Sequence, residues 1–202
     1  VKFIDPGECT WNSPTDATEL RGLIVGGGGG GGGNLLMGGG GGGGGYLSFE
    51  TLTITNQVLK ISVGGGGAGG GSTFGSSISQ NGETSSVSIG SDPTPTLKLI
   101  APGGGRGGSE INGQYLEYHY SGRSGGSGGG HGGTYPASTY GTSEMVTAVI
   151  PDTQNATSIG LLQLGNAGAP CALAPYGGTG GGGFCLVARG ATGYGAGAAT
   201  PA

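Results

Sequence analysis

The sequence predicts an all-β protein in which short antiparallel β-strands flank a packed array of extended glycine helices of the polyglycine II type, with essentially no α-helix. Glycine supplies 56 of the 202 residues. The apolar residues fall in short pieces rich in Val, Ile, Thr and Tyr, and several pieces alternate with polar residues as half-buried strands do. No longer stretch shows the 3.6-residue apolar period of an amphipathic helix.

The strand predictions follow these apolar pieces in chain order. The clearest alternation is at 59–63, where Leu, Ile and Val are separated by Lys and Ser. Strands are predicted at 1–4, 20–25, 46–54, 58–63, 96–100, 114–120, 144–150, 159–164 and 184–188. The glycine tracts lie between them, at 26–33, 38–45, 64–71, 103–108, 122–133 and 177–183.

Glycine tracts are usually linkers, but the composition of this chain opposes that interpretation. Only 9% of its residues are charged and 33% are hydrophobic, whereas solvated disorder depends on charge and on a scarcity of aliphatic residues. Glycine disfavours an α-helix by about 1 kcal/mol per residue relative to alanine. The regular conformation that remains is the extended helix with three residues per turn, which makes no internal hydrogen bonds and can therefore bond to neighbouring tracts on every side.

Two tracts of equal length, 26–33 and 38–45, enclose a short apolar segment. We call it the NLLM island; its residues are Asn34, Leu35, Leu36 and Met37. An extended tract of this length spans roughly 25 Å, and a compact domain of this size is only about 40 Å across. We therefore predict two antiparallel tracts joined by a turn at the island, where Asn34 tolerates a positive φ.

Two regions are predicted. Residues 1–110 form a glycine-rich domain with flanking strands, and residues 111–202 form a second glycine-rich and β region packed on the first as one unit. Cys171 and Cys185 have two interpretations: they close a disulfide across a glycine tract, which stabilises a protein by about 3 kcal/mol in an oxidising environment, or they are, with Cys9, small buried apolar residues.

Charge argues against two classes of partner. The net charge is −4, and the seven Lys and Arg residues are scattered singly. Nucleic acids and anionic membranes require a concentrated basic surface, so we expect neither, and the single RGG-like element around Arg106 does not change this. No apolar run approaches the ~20 residues of a membrane-spanning helix, so we expect no membrane insertion.

Catalytic motifs are absent or arise by chance from the glycine content. The two G-x-S-x-G matches, at 122–126 and 125–129, lack the strand–turn–helix context of a nucleophile. No Gly-Lys pair is present for a phosphate-binding loop. We therefore expect no enzyme, no cofactor and no metal site.

Side chains suited to surface recognition occur in two places. Tyr118, His119 and Tyr120 lie together, and Tyr135 follows the next glycine tract. Aromatic residues of this kind stack on sugars or lipids, or else fill the small core as alternate residues of a strand. The NLLM island is either an exposed apolar tip that docks on a partner or a plug packed beneath a neighbouring layer.

The first half of the chain resembles the glycine-rich domain common in bacteriophage tail and tail-fibre proteins. The segments that carry the resemblance are FIDPG at 3–7, TWNSP at 10–14, LIV at 23–25 before the first tract, ISVGGGGAGG at 61–70 and STFG at 72–75. The glycine tracts are similar to the polyglycine II sandwich of the adhesins at the tips of long tail fibres.

In those adhesins, the loops that join glycine helices form the receptor-binding edge, which corresponds here to the NLLM island. The resemblance implies a non-enzymatic tail-fibre adhesin, located in the virion or extracellular, that binds a protein or glycan receptor on the bacterial outer surface. It also implies contact with other tail-fibre subunits, as a homo-oligomer or as a cap on a trimeric fibre. The alternative is a self-assembling extracellular filament or virion structural subunit.

Overall fold

The computed structural model describes residues 1–33, 38–54, 56–71, 78–89, 97–109 and 122–130, together with the backbone of four short strands in the second half. Within this part of the chain there are ten β-strands and no helix. Every strand pair is antiparallel. The predicted all-β class is therefore confirmed.

The strands form three sheets. Their bounds are β1 Gly7–Asn12, β2 Glu19–Val25, β3 Tyr46–Thr53, β4 Val58–Val63, β5 Ser85–Ile89, β6 Leu97–Ala101, β7 Thr147–Val149, β8 Leu162–Leu164, β9 Leu186–Ala188 and β10 Ala199–Pro201. One sheet has the order β1-β4-β5-β6-β7, a second has the order β2-β3-β8, and β9 pairs with β10. A turn with Asn56 at a φ of 46° connects β3 to β4, a conformation that asparagine tolerates well.

The core lies between the first two sheets, where β2 and β3 pack against β5 and β6. Its buried residues are Ile24, Leu47, Phe49, Leu52, Ile54, Leu97, Leu99 and Ala101. Leu47 and Phe49 in β3, like Leu97 and Leu99 in β6, are two residues apart because alternate strand residues share a face. Full burial of one such side chain contributes about 1.5–3 kcal/mol.

Gly22 allows β2 to approach β3 closely. A Cβ at this position would overlap the ring of Phe49 on the neighbouring strand. The β2–β3 register shifts at the same place, between Leu20 and Gly22, as expected where a glycine in a strand marks a bulge or close contact. The missing side chain makes room for the buried Phe49 ring.

The predicted strand at 1–4 is wrong, the one at 114–120 lies outside the described residues, and three strands, β1, β5 and β10, were not predicted. Pairing with β4 begins at Gly7, which has a φ of 139°, a value that favours glycine. Val1 and Ile4 are exposed, with no strand partner among the described residues. β5 was missed because three of its five residues are serine, and β10 lies in a segment with no strand signal.

Six segments without regular strand structure pack together into a block that we call the glycine array. They are tract 1 (26–33), tract 2 (38–45), tract 3 (64–71), tract 4 (79–84), tract 5 (103–109) and tract 6 (122–130). Tracts 1 and 2 run antiparallel, because Gly26, Gly29 and Gly32 donate their amides to Gly45, Gly42 and Gly39. The predicted antiparallel pair is therefore confirmed.

Tract 1 is hydrogen-bonded to four other tracts. The amides of Gly26, Gly29 and Gly32 donate to tract 2, and those of Gly27 and Gly30 donate to tract 4. The carbonyl oxygens of Gly27 and Gly30 accept from amides of tract 5, and those of Gly28 and Gly31 accept from amides of tract 3. A strand in a sheet has only two such neighbours. The array is therefore packed in three dimensions, and its bonds recur at every third residue, the period of an extended glycine helix.

Packing at this distance leaves no room for side chains at most positions. A Cβ on Gly29 would overlap the carbonyl oxygen of Gly105, and one on Gly30 would overlap that of Ala68. Gly28 and Gly31 differ, because the nearest atom to a Cβ at either would lie 3.9 Å away and both residues are exposed. Glycine is thus a steric requirement at positions such as Gly29 and Gly30, where tracts pack backbone to backbone.

Candidate functional site

The residues predicted for recognition lie outside the described residues. They are the NLLM island (Asn34, Leu35, Leu36 and Met37) together with Tyr118, His119, Tyr120 and Tyr135. Cys171 and Cys185 also lie outside them, so both interpretations of that pair stay predictions. The described part of the chain does include the residues on either side of the island, and these define the place from which it departs.

The glycines that flank the island on its two sides are held next to each other. Gly32, one residue before the last glycine of tract 1, donates its amide to the carbonyl oxygen of Gly39 at 2.7 Å. Gly39 in turn donates to Gly108 of tract 5 at 2.9 Å. The island therefore begins and ends at one end of the array, and both of its flanking tracts are bonded to a third.

Two buried serine hydroxyls lie at this end of the array. Ser109 accepts the amide of Gly33 at 3.1 Å, and Ser79 bonds to the carbonyl oxygen of Gly107 at 2.7 Å. The two hydroxyl oxygens are 3.1 Å apart. Ser79 is 2% exposed and Ser109 is 1% exposed. Neither serine was predicted from the sequence, since an isolated serine gives no signal before its neighbours in the fold are known.

Arg106 is buried in the array and is therefore not an exposed RGG element. It is 7% exposed, its amide donates to the side-chain oxygen of Asn81, and its guanidinium donates to the carbonyl oxygen of Gly107 at 3.4 Å. Burial lowers the pKa of Arg106, and the nearby positive charge of Arg123 lowers it further. The arginine is part of the packing of tract 5.

Other reactive groups in the described part are few. Cys9 is a free thiol on β1 and is exposed, so its interpretation as a buried apolar residue is wrong. Among the described residues, no group of three or more His, Cys, Asp or Glu side chains could hold a metal ion. No helix in the same residues has the length and hydropathy needed to span a membrane.

Comparison with known proteins gives one match. A search of curated proteins and a search of solved structures each found nothing similar. A family model described as "Glycine-rich domain" matches residues 4–201, which include all six tracts of the array and all ten strands. Because this match covers nearly the whole chain, the chain belongs to the glycine-rich domain family.

Proposed function

We propose that the protein is a non-enzymatic receptor-binding domain of a bacteriophage tail fibre. In this proposal the tracts are polyglycine II helices that form a rigid support, and the NLLM island is the loop that contacts a receptor on the bacterial surface. The bond between Gly32 and Gly39 carries the proposal, because it closes the base of the island within a block of backbone hydrogen bonds. A loop held at a fixed base loses less conformational entropy when it binds.

The experiment replaces the apolar side chains of the island while keeping its length. In the 202-residue chain, Leu35, Leu36 and Met37 are changed together to Ser, and binding to host cells is measured. We expect a drop of at least about tenfold, equivalent to the loss of one or two apolar contacts. Leu23→Ser is the matched control, because Leu23 is 56% exposed and lies on β2. Unchanged binding by the folded triple variant would contradict the proposed role of the island in binding the receptor.

A second function, as a subunit of a self-assembling filament, is favoured by the edge of the larger sheet. β1 is an outer strand in the order of that sheet, and nearly all of it is exposed. Val1 and Ile4 beside it are 95% and 63% exposed. An unprotected edge strand is a template for pairing with another chain.

Electron microscopy of the purified 202-residue chain separates the two functions. Regular polymers formed without host cells favour the filament. Thr10→Pro removes an edge amide from β1 and is expected to abolish such polymers, whereas Leu23→Ser on β2 should leave them intact. A chain that stays monomeric at high concentration would contradict the filament function and leave the receptor-binding function as proposed.

A further inference from the structure

The hydroxyls of Ser79 and Ser109 form a hydrogen-bonded chain whose direction is fixed by chemistry. The carbonyl oxygen of Gly107 can only accept, so Ser79 donates its single hydroxyl proton there. Ser79 then has no proton for Ser109, so Ser109 is the donor in the bond between the two oxygens. Since the amide of Gly33 donates to Ser109, the bonds run in one direction from Gly33 through both serines to Gly107.

This chain lies where the repeating pattern of tract 1 ends. The amides of Gly27 and Gly30 donate to the main-chain carbonyls of Glu83 and Gln80 in tract 4, stepping three residues along each tract. One step further, Gly33 donates instead to the side chain of Ser109, which belongs to tract 5. The last residue of tract 1 is therefore anchored by a side chain of tract 5 rather than by a main-chain carbonyl.

Each hydroxyl acts as donor and acceptor at the same time, which no alanine can do. In Ser109→Ala, the buried amide of Gly33 loses its acceptor, and a buried amide without a partner is costly. The chain can relieve that cost by moving Gly33 towards water. Such a movement changes the position from which the NLLM island leaves the array.

We propose that Ser109 and Ser79 are positioning residues that fix the path of the chain at Gly33, the residue from which the NLLM island departs. This proposal rests on the proposed function in one respect, namely that the NLLM island binds a receptor. Ser109 holds Gly33 directly, and Ser79 orients the Ser109 hydroxyl so that its lone pair faces the Gly33 amide. Removal of Ser79 is therefore expected to have the smaller effect.

The test measures backbone order in the ¹⁵N-labelled 202-residue chain for the wild type, Ser109→Ala and Ser79→Ala. Ser86→Ala is the matched control, because Ser86 is a half-buried serine of β5. We expect the amide order parameter of Gly33 to fall from about 0.85 towards 0.6 in Ser109→Ala. The fall should be smaller in Ser79→Ala and absent in Ser86→Ala, while Gly29 and Gly42 stay unchanged in all three variants.

A Gly33 order parameter that matches the wild type in folded Ser109→Ala would overturn the proposal. If Ser109→Ala does not fold, the same comparison with the wild type is made for Ser79→Ala, because this variant keeps the Ser109 hydroxyl that accepts the Gly33 amide. Binding to host cells is measured in parallel and should weaken about tenfold in Ser109→Ala. Lower order with unchanged binding would support the positioning role and contradict the proposed function of the island.

Discussion

At the scale of single residues, neighbouring glycines of tract 1 differ in what they tolerate. A Cβ on Gly29 would overlap the backbone of Gly105, whereas one on Gly28 would meet its nearest atom at 3.9 Å. We expect Gly29→Ala to destabilise the protein by about 3 kcal/mol, because the backbone of tract 5 must move. Gly28→Ala should change the free energy of unfolding by less than about 1 kcal/mol, in the stabilising direction, because it restricts the unfolded chain.

Urea unfolding of both variants measures the difference. Both variants replace glycine by alanine in the same tract, so helix or strand propensity cannot cause a difference in their free energies of unfolding. Equal stability of Gly28→Ala and Gly29→Ala would mean that the backbones of tracts 1 and 5 are further apart than in this structure.

A second residue-scale prediction concerns the hydroxyl of Ser85. It accepts the amide of Gly64, the first residue of tract 3, at 2.9 Å, and Ser85 is 4% exposed. Ser85→Ala leaves that amide without its acceptor and should cost about 1–3 kcal/mol. Ser86→Ala, on the opposite face of β5, should cost less than about 0.5 kcal/mol. Thermal unfolding compares the two, and equal losses would count against the role of the Ser85 bond.

At the scale of elements, tract 1 should show a periodic pattern of amide protection. Gly29 and Gly30 donate to Gly42 and Gln80, whereas Gly28 and Gly31 are exposed and have no amide acceptor within the described ranges. We expect hydrogen exchange to be slow at Gly29 and Gly30, with free energies close to global unfolding, and fast at Gly28 and Gly31. Uniform protection along the tract would contradict this arrangement.

The strands that the sequence predicts well are those whose own residues favour a strand. β4 was predicted with the bounds that the structure shows, because Leu59, Ile61 and Val63 alternate with polar residues. β5 was not predicted, since Ser85, Ser86 and Ser88 have no strand preference, and it exists because β4 and β6 pair with it on both sides. Strand formation there is decided by tertiary pairing rather than by local propensity.

The array was partly predictable for a similar reason. Equal lengths of tracts 1 and 2 were enough to predict the antiparallel pair, because that argument needs only chain dimensions. The contributions of Ser79, Ser109 and Arg106 could not be predicted, because these residues meet their partners only when tracts far apart in the sequence pack together. The recognition residues of the NLLM island stay predictions made from sequence and resemblance.

At the scale of the whole molecule, the two packed β-sheets and the glycine array should unfold together. β2 runs directly into tract 1, and tract 2 runs directly into β3. Leu47→Ala removes a fully buried side chain of β3 and should cost about 2–5 kcal/mol. If unfolding is cooperative, the protection of the Gly29 and Gly104 amides should fall by the same free energy.

Leu23→Ala is the control, because Leu23 is 56% exposed on the neighbouring strand; it should leave both stability and protection within about 0.5 kcal/mol of the wild type. Hydrogen exchange and urea unfolding, measured on the same samples, provide the comparison. Array amides that keep their protection in Leu47→Ala would mean that the array is a separate unit of stability.

The four neighbours of tract 1 also bear on mechanical strength. Within the described residues, tract 1 donates five backbone hydrogen bonds and accepts four, all directed sideways to other tracts. A force that pulls on the chain at either end of the tract acts along its axis, so it loads these bonds in shear, all at once, instead of opening them one after another. Resistance to such a force depends on the rate of unfolding rather than on equilibrium stability. A block of backbone held on four sides is therefore suited to bearing load.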